Sequence, residues 1–156
     1  ITVGFNRMLA PLPDIVSEVI GTEKLYIAVN VQSPLAALAA LPFRVLENEP
    51  LIAFPNSGRP NFVDKIVNLC QEQGFLPNIV QEVGDAVTGV ALVSSGFGVC
   101  VVPQSATKLG LPGVIFKPFE GLSEAASVDL SCVYLKDRES PILTSFLETV
   151  RTTALT

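Results

Sequence analysis

The sequence predicts a soluble α/β fold carried by parallel strands, and three observations lead there. Charged residues make up 16% of the chain, against roughly 25% in ordinary soluble domains, and mean hydropathy is positive, as expected where a sheet is covered on both faces. Apolar runs of strand length alternate three times in succession with short loops and helical segments, the pattern of right-handed strand-helix-strand crossovers. At 156 residues a chain buries roughly 68 to 70% of its unfolded surface, enough for a real core.

Taken in order, residues 1–5 (ITVGF) read as a buried strand. A natural amino terminus seldom opens this way without Met or a lead-in, so a piece of a longer protein is expected. Residues 15–20 and 25–31 are strands flanking Gly21-Thr22-Glu23-Lys24, a hairpin or a crossing between two sheets. Residues 51–54 (LIAF) form a strand, followed by the turn Pro55-Asn56-Ser57-Gly58-Arg59. Residues 60–73 place Phe62, Val63, Ile66, Val67, Leu69 and Cys70 on one helical face. Pro60 suits the first turn of that helix, and Gly74 suits the position just past its end. Residues 78–83 are the next strand, Asp85 the cap and residues 86–95 an apolar helix. Residues 99–102 are a third strand and 103–107 a helical turn. Strands at 114–119 and 129–135 follow, the second after a polar, small-residue stretch, and residues 141–151 close the chain as an amphipathic helix through Ile142, Leu143, Phe146, Leu147 and Val150.

The same numbers exclude several functions. Ten basic against 15 acidic residues, net −5, leave no electrostatic footprint for gripping a phosphate backbone, so this chain is not expected to bind DNA by itself. Without His, Ser-His-Asp and Cys-His catalysis and most zinc chemistry lose their usual base and ligand. Cys70, Cys100 and Cys132 are odd in number, lie in apolar stretches and form no C-x-x-C pair, which reads as buried thiols in a reducing compartment. The absence of a glycosylation sequon and of a leader pattern makes the cytoplasm the default. Two uncharged runs, 25–43 and 86–107, reach membrane-spanning length, but polar residues, Gly and Pro divide each into short elements, so no membrane is expected.

Chemistry is sought where open parallel sheets place it, outside the carboxyl ends of strands, where loops run into helix amino termini. Three such places occur: Asn56-Ser57-Gly58-Arg59-Pro60-Asn61, Gly84-Asp85-Ala86, and Pro103-Gln104-Ser105. Together they suggest an anion cradle for a carboxylate. Arg59 in the first loop and Arg7 after the opening strand are candidates to hold one through paired bonds. The competing reading makes the loop residues turn formers and both arginines solvated. Gly96-Phe97-Gly98 precedes a strand and is a turn, not a dinucleotide fingerprint. Ser94-Ser95-Gly96 lacks the nucleophile-elbow pattern, and no P-loop occurs. Glu49, Glu82 and Asp85 fit capping and solvated loop charge better than a metal or acid/base set. No cofactor is expected.

The succession ITVGFNR, EKLYIAV, SPLA, EPLIAFPNSGRPNF, QGFLPNIVQEV, ALVSSGFGVCVVPQS and PILTSFLETVR resembles the effector-binding domain of LysR-type transcriptional regulators. It runs in order from about residue 1 to Arg151, and the stretch from GFLPNIVQEV to VCVVPQS is its most specific part. Within the family it is most similar to regulators of aromatic catabolism that respond to muconate-type diacids. The resemblance implies a two-lobed α/β fold, like type 2 periplasmic binding proteins, with a small acid between the lobes. Lobe II would be residues 23–127, and a truncated lobe I residues 1–22 and 128–156. The winged helix-turn-helix, the linker helix and the hydroxyl residues that relatives turn toward the effector carboxylate would lie upstream of Ile1.

By the same likeness Arg7 matches a cleft-forming arginine and Glu23 a carboxylate at the lobe crossing. Asn61 and Phe62 match the helix start that closes over the ligand, and Asp85 and Ala86 the second helix start; Phe62 can equally be core. Gly21 stands where benzoate-responsive relatives have an Arg for a second site. With Asn56, Ser57 and Pro103 from the loops, these residues are the candidate effector site. The implied function is non-enzymatic: a sensor whose full-length form self-associates as dimer or tetramer and meets promoter DNA and RNA polymerase. A solute-binding protein or a dehydratase-like enzyme on the same scaffold are the alternatives.

Overall fold

The computed structural model describes residues 2–138 and 140–154. The chain divides into two compact units, unit 1 comprising Ile1–Glu23 and Val128–Thr156 and unit 2 comprising Lys24–Ser127.

Unit 1 is a three-stranded antiparallel sheet in the order β1 (Val3–Asn6), β9 (Val128–Leu135), β2 (Ile15–Glu23), with α3 (Pro141–Ala154) following β9. The expectation of a buried opening strand is corrected: β1 lies at the sheet edge, and Phe5 is exposed, its ring 6.4 Å from that of Phe146. Apolar residues at both parities read the same for an edge as for an interior strand. The hairpin alternative at residues 21–24 also falls, because β2 continues through Gly21 and Thr22 to Glu23. Pairing of β2 with β9 shifts register between Val19 and Gly21, and the intervening Ile20 is buried with Cys132, Leu143 and Leu147. A bulge redirects a side chain in this way.

Unit 2 is a six-stranded sheet. The strands in chain order are β3 (Leu25–Asn30), β4 (Leu41–Pro42), β5 (Leu51–Ala53), β6 (Ile79–Glu82), β7 (Val99–Pro103) and β8 (Val114–Glu120), arranged β4-β8-β3-β7-β5-β6. The prediction of a parallel sheet holds for β7, β5 and β6 and is corrected at β3, which runs antiparallel to both β7 and β8. A strand buried on both faces has the same apolar pattern in either direction, so sequence could not orient it.

Helix α1 (Phe62–Glu72) packs Phe62, Val63 and Ile66 against Leu51, Ala53 and Val101, whereas α2 (Ala86–Ser94) packs Val90 and Val93 with Ala28, Cys100 and Val102. Neighbouring residues of β7 therefore serve opposite faces, and the whole strand is buried. Pro60 is not in the first turn of α1; Asn61 is the N-cap and Pro60 precedes it. Gly74 does lie past the helix end, at φ 82°, where the Phe75 N–H reaches back to Cys70 O. At Gly98 a Cβ would sit 2.2 Å from Pro50 O, so any side chain forces the backbone there to shift. Asn30, closing β3, donates through Nδ2 to the carbonyls of Val93 and Ser94 and so ties the end of α2 to the sheet. All three cysteines are buried free thiols, and burial pushes Cys70 and Cys100 up to about 12, out of reach of thiolate chemistry. Among the described residues no helix is long and apolar enough to cross a membrane.

Candidate functional site

The carboxyl ends of β7, β5 and β6 are neighbours and point the same way. That edge of unit 2 gathers the loop before α1, the start of α2 and Pro103. Asn61 is the one buried polar residue recorded among the described residues, and its side chain is fully employed. Oδ1 accepts from Val63 N at 2.9 Å, while Nδ2 donates to Pro55 O at 3.2 Å and Ser57 O at 3.1 Å. Its own N–H donates to Asp64 Oδ2 at 2.7 Å, completing a capping box. Asn61 thus shapes the loop 55–61 and fixes where α1 begins. Asn56 and Ser57 stand exposed on that loop.

Phe62 is buried, its ring 5.3 Å from Phe54, so core packing accounts for it. Asp85 caps α2, accepting from Thr88 N at 2.8 Å and from the Thr88 hydroxyl at 3.2 Å. Ala86 is half-buried at the first helical position, and Pro103 is buried opposite Leu25.

Arg59 does not match the expectation of a free anion grip. Its Nη1 bonds Asp64 at 2.6 Å and its Nη2 bonds Glu82 at 2.5 Å. The Asn61 N–H, aided by Arg59, holds the Asp64 carboxyl below its ordinary value against an opposing effect of burial. Glu82 and Asp85 are thereby accounted for without a metal, and no metal-binding cluster occurs among the described residues. A carboxylate ligand here meets helix amino termini already capped by the chain's own carboxylates. What is left for it is the exposed rim at Asn56 and Ser57.

Within unit 1 the structure brings together the other two candidates. Arg7, just after β1, pairs through Nη2 with Oε2 of Glu23, the last residue of β2; both side chains are largely covered. Asn6 Oδ1 accepts from Met8 N at 2.7 Å and turns the chain at this point. Beside Glu23, the Thr22 hydroxyl donates to Asp129 Oδ1 at 2.8 Å. Sequence reasoning missed both the Arg59 bridge and the bracing role of Asn61. The [ST/N]-x-x-[DE] spacing of Asn61 and Asp64 was the available signal for the second.

Loops gathered at strand carboxyl ends are where open α/β sheets place their ligands. The family profile described as LysR substrate binding domain matches residues 1–155. The chain is 32% identical over 99% of its length to the HTH-type transcriptional regulator TcbR of Pseudomonas sp. strain P51, and 30% identical over 94% to ClcR of Pseudomonas putida. It covers 52% and 49% of those proteins, so it spans about half the length of the curated relatives it matches.

Among solved structures, CbnR, a LysR family transcriptional regulator, superposes with a TM-score of 0.89 at 32% identity, covering 99% of this chain and 53% of CbnR. The effector-binding domain of BenM with its effector benzoate gives 0.84 at 26%, covering 98% of this chain and 69% of that one. This chain belongs to the LysR substrate-binding domain family. Its fold class is the expected two-lobed, periplasmic-binding-protein-like one, and its relatives are transcriptional regulators, not enzymes.

Proposed function

We propose that the chain is the sensing part of a cytoplasmic LysR-type regulator and that its effector is a small carboxylate derived from an aromatic compound. The observation that carries this reading is the likeness, across nearly the whole chain, to a BenM domain bound to benzoate. The candidate effector residues of unit 2 are Asn56, Ser57, Asn61, Phe62, Asp85, Ala86 and Pro103; those of unit 1, taken by themselves, are Arg7 and Glu23. Arg7 supplies positive charge, Glu23 holds its guanidinium in place, and the loop braced by Asn61 presents Asn56 and Ser57. Phe62 and Pro103 contribute apolar backing.

The effector acts by population shift, which requires that it distinguish two arrangements of the protein. Self-association, promoter DNA and RNA polymerase are partners of the full-length protein; one relative, CbnR, has been solved with its target DNA. The test is a thermal-shift panel of muconates, benzoates, catechols and amino acids on the full-length protein, followed by calorimetry. Arg7→Ala should weaken carboxylate binding by about 1.5 to 3 kcal/mol, the worth of a hydrogen bond to a charged group. Equal affinity in both proteins removes Arg7 from the site, and turnover of the ligand overturns the sensor reading.

A further inference from the structure

We infer that unit 2 carries a second small-molecule site, made by the start of β3, the end of β8 and the loop after it, for a small apolar amino acid. It uses none of the residues assigned above. A cavity of about 230 Å³ lies there, below the roughly 300 to 1,000 Å³ of sites for drug-sized ligands, so its guest is a single ring or a short chain.

The walls are fixed before any ligand arrives. Leu25 is 5% exposed, and the Lys24 carbonyl accepts from Gln104 N at 2.9 Å. The Phe119 ring is held edge-on against Phe43 at 4.9 Å between centroids. Residues 124–126, which also contribute to the lining, form a helical turn closed by bonds from Ala126 N to Ser123 O and from Ser127 N to Glu124 O, and anchored by the buried Ala126.

The polar lining selects the ligand. Lys24 and Glu124 both line the cavity, together with Tyr26, and neither enters an ion pair with any described residue. One cation and one anion beside the apolar surfaces of Leu25, Phe119 and Leu122 complement a zwitterion with an apolar body. The carboxylate meets Lys24 and the ammonium meets Glu124, each as a charge-assisted bond.

The test titrates L-phenylalanine into the protein labelled at leucine methyl groups, with 3-phenylpropionate as the analogue lacking only the ammonium. Saturable shifts at Leu25 and Leu122 are expected. Lys24→Gln and Glu124→Gln should each raise Kd roughly tenfold or more, and 3-phenylpropionate should bind weakly and ignore Glu124→Gln. Leu122→Trp, which fills the cavity without altering charge, should abolish the shifts. The site is overturned if no saturable shift occurs at Leu25 and Leu122, or if both charge substitutions leave Kd unchanged. Shifts confined to Leu51, which lies beside Phe62, overturn it as well, and would support the effector reading instead.

Discussion

Unit 2 buries β5 and β7 from end to end and most of β3, whereas no strand of unit 1 is buried along its length. Among the described residues of unit 1, the buried hydrophobics are Ile20, Val128, Cys132, Leu143 and Leu147. Charge pairs add to this core. Arg151 forks onto Glu18, with Nε to Oε1 at 2.6 Å and Nη2 to Oε2 at 2.7 Å, clasping α3 to β2, and Arg7 joins the end of β2 to the segment after β1. In unit 2 the corresponding Arg59 bridges lie on the edge assigned to the ligand, away from the core. Deep apolar burial fixes one unit, and charge pairs help to fix the other.

Core truncation tests that contrast most severely. Ile27→Ala, at a fully buried position, should cost about 3 to 5 kcal/mol in urea unfolding, and Leu143→Ala in unit 1 about 2 to 3, because a thinner core collapses more readily around a missing group. Equal losses would break the comparison. Glycines give the next effect. Gly98→Ala must accommodate both a positive φ and the clash with Pro50 O, at about 1 to 3 kcal/mol. Gly4→Ala in β1 meets only Val133 at an ordinary 3.4 Å and should stay within about 0.5 kcal/mol.

Asn61→Ala removes a cap and two loop bonds and should lower stability by about 1 to 2 kcal/mol, with hydrogen exchange rising first in residues 55–61. The smallest effect is expected with pH. Bonds from Arg151 hold the Glu18 carboxyl below its ordinary value, as the Asn61 N–H does for Asp64. A group depressed in the folded state adds stability above its unfolded pKa and loses it as pH falls through the folded one. Urea midpoints should therefore drop below about pH 4, and Glu18→Gln should flatten part of that slope.

Much of this arrangement was legible in the sequence because each element carries its own local signal. The helical spacing from Phe62 to Cys70, the cap at Asp85, and Gly74 beyond the first helix are short-range chemistry. The direction of β3 was not legible, since burial on both faces erases the pattern that would report it, nor was the edge position of β1, where apolar residues at both parities read the same as in an interior strand. The two-residue β4 is too short to carry a period. At the candidate site, residue types pointed to loops that the fold brings to one edge of unit 2, but the occupation of Arg59 by Asp64 and Glu82 depends on a contact across 23 positions, which no motif encodes. The cavity beside Lys24 is likewise assembled from segments remote in sequence.

The central strand of unit 1 is β9, and both of its neighbours precede it by the whole length of unit 2. During synthesis β1 and β2 therefore emerge before β9, the strand with which both pair, while unit 2, continuous in the chain, has all its strands in hand before β9 leaves the ribosome. The Glu18 and Arg151 clasp closes a separation of 133 residues. Loop-closure entropy is low once unit 2 has folded and shortened that span. The order of assembly is written into the connectivity, with the interrupted unit completed last.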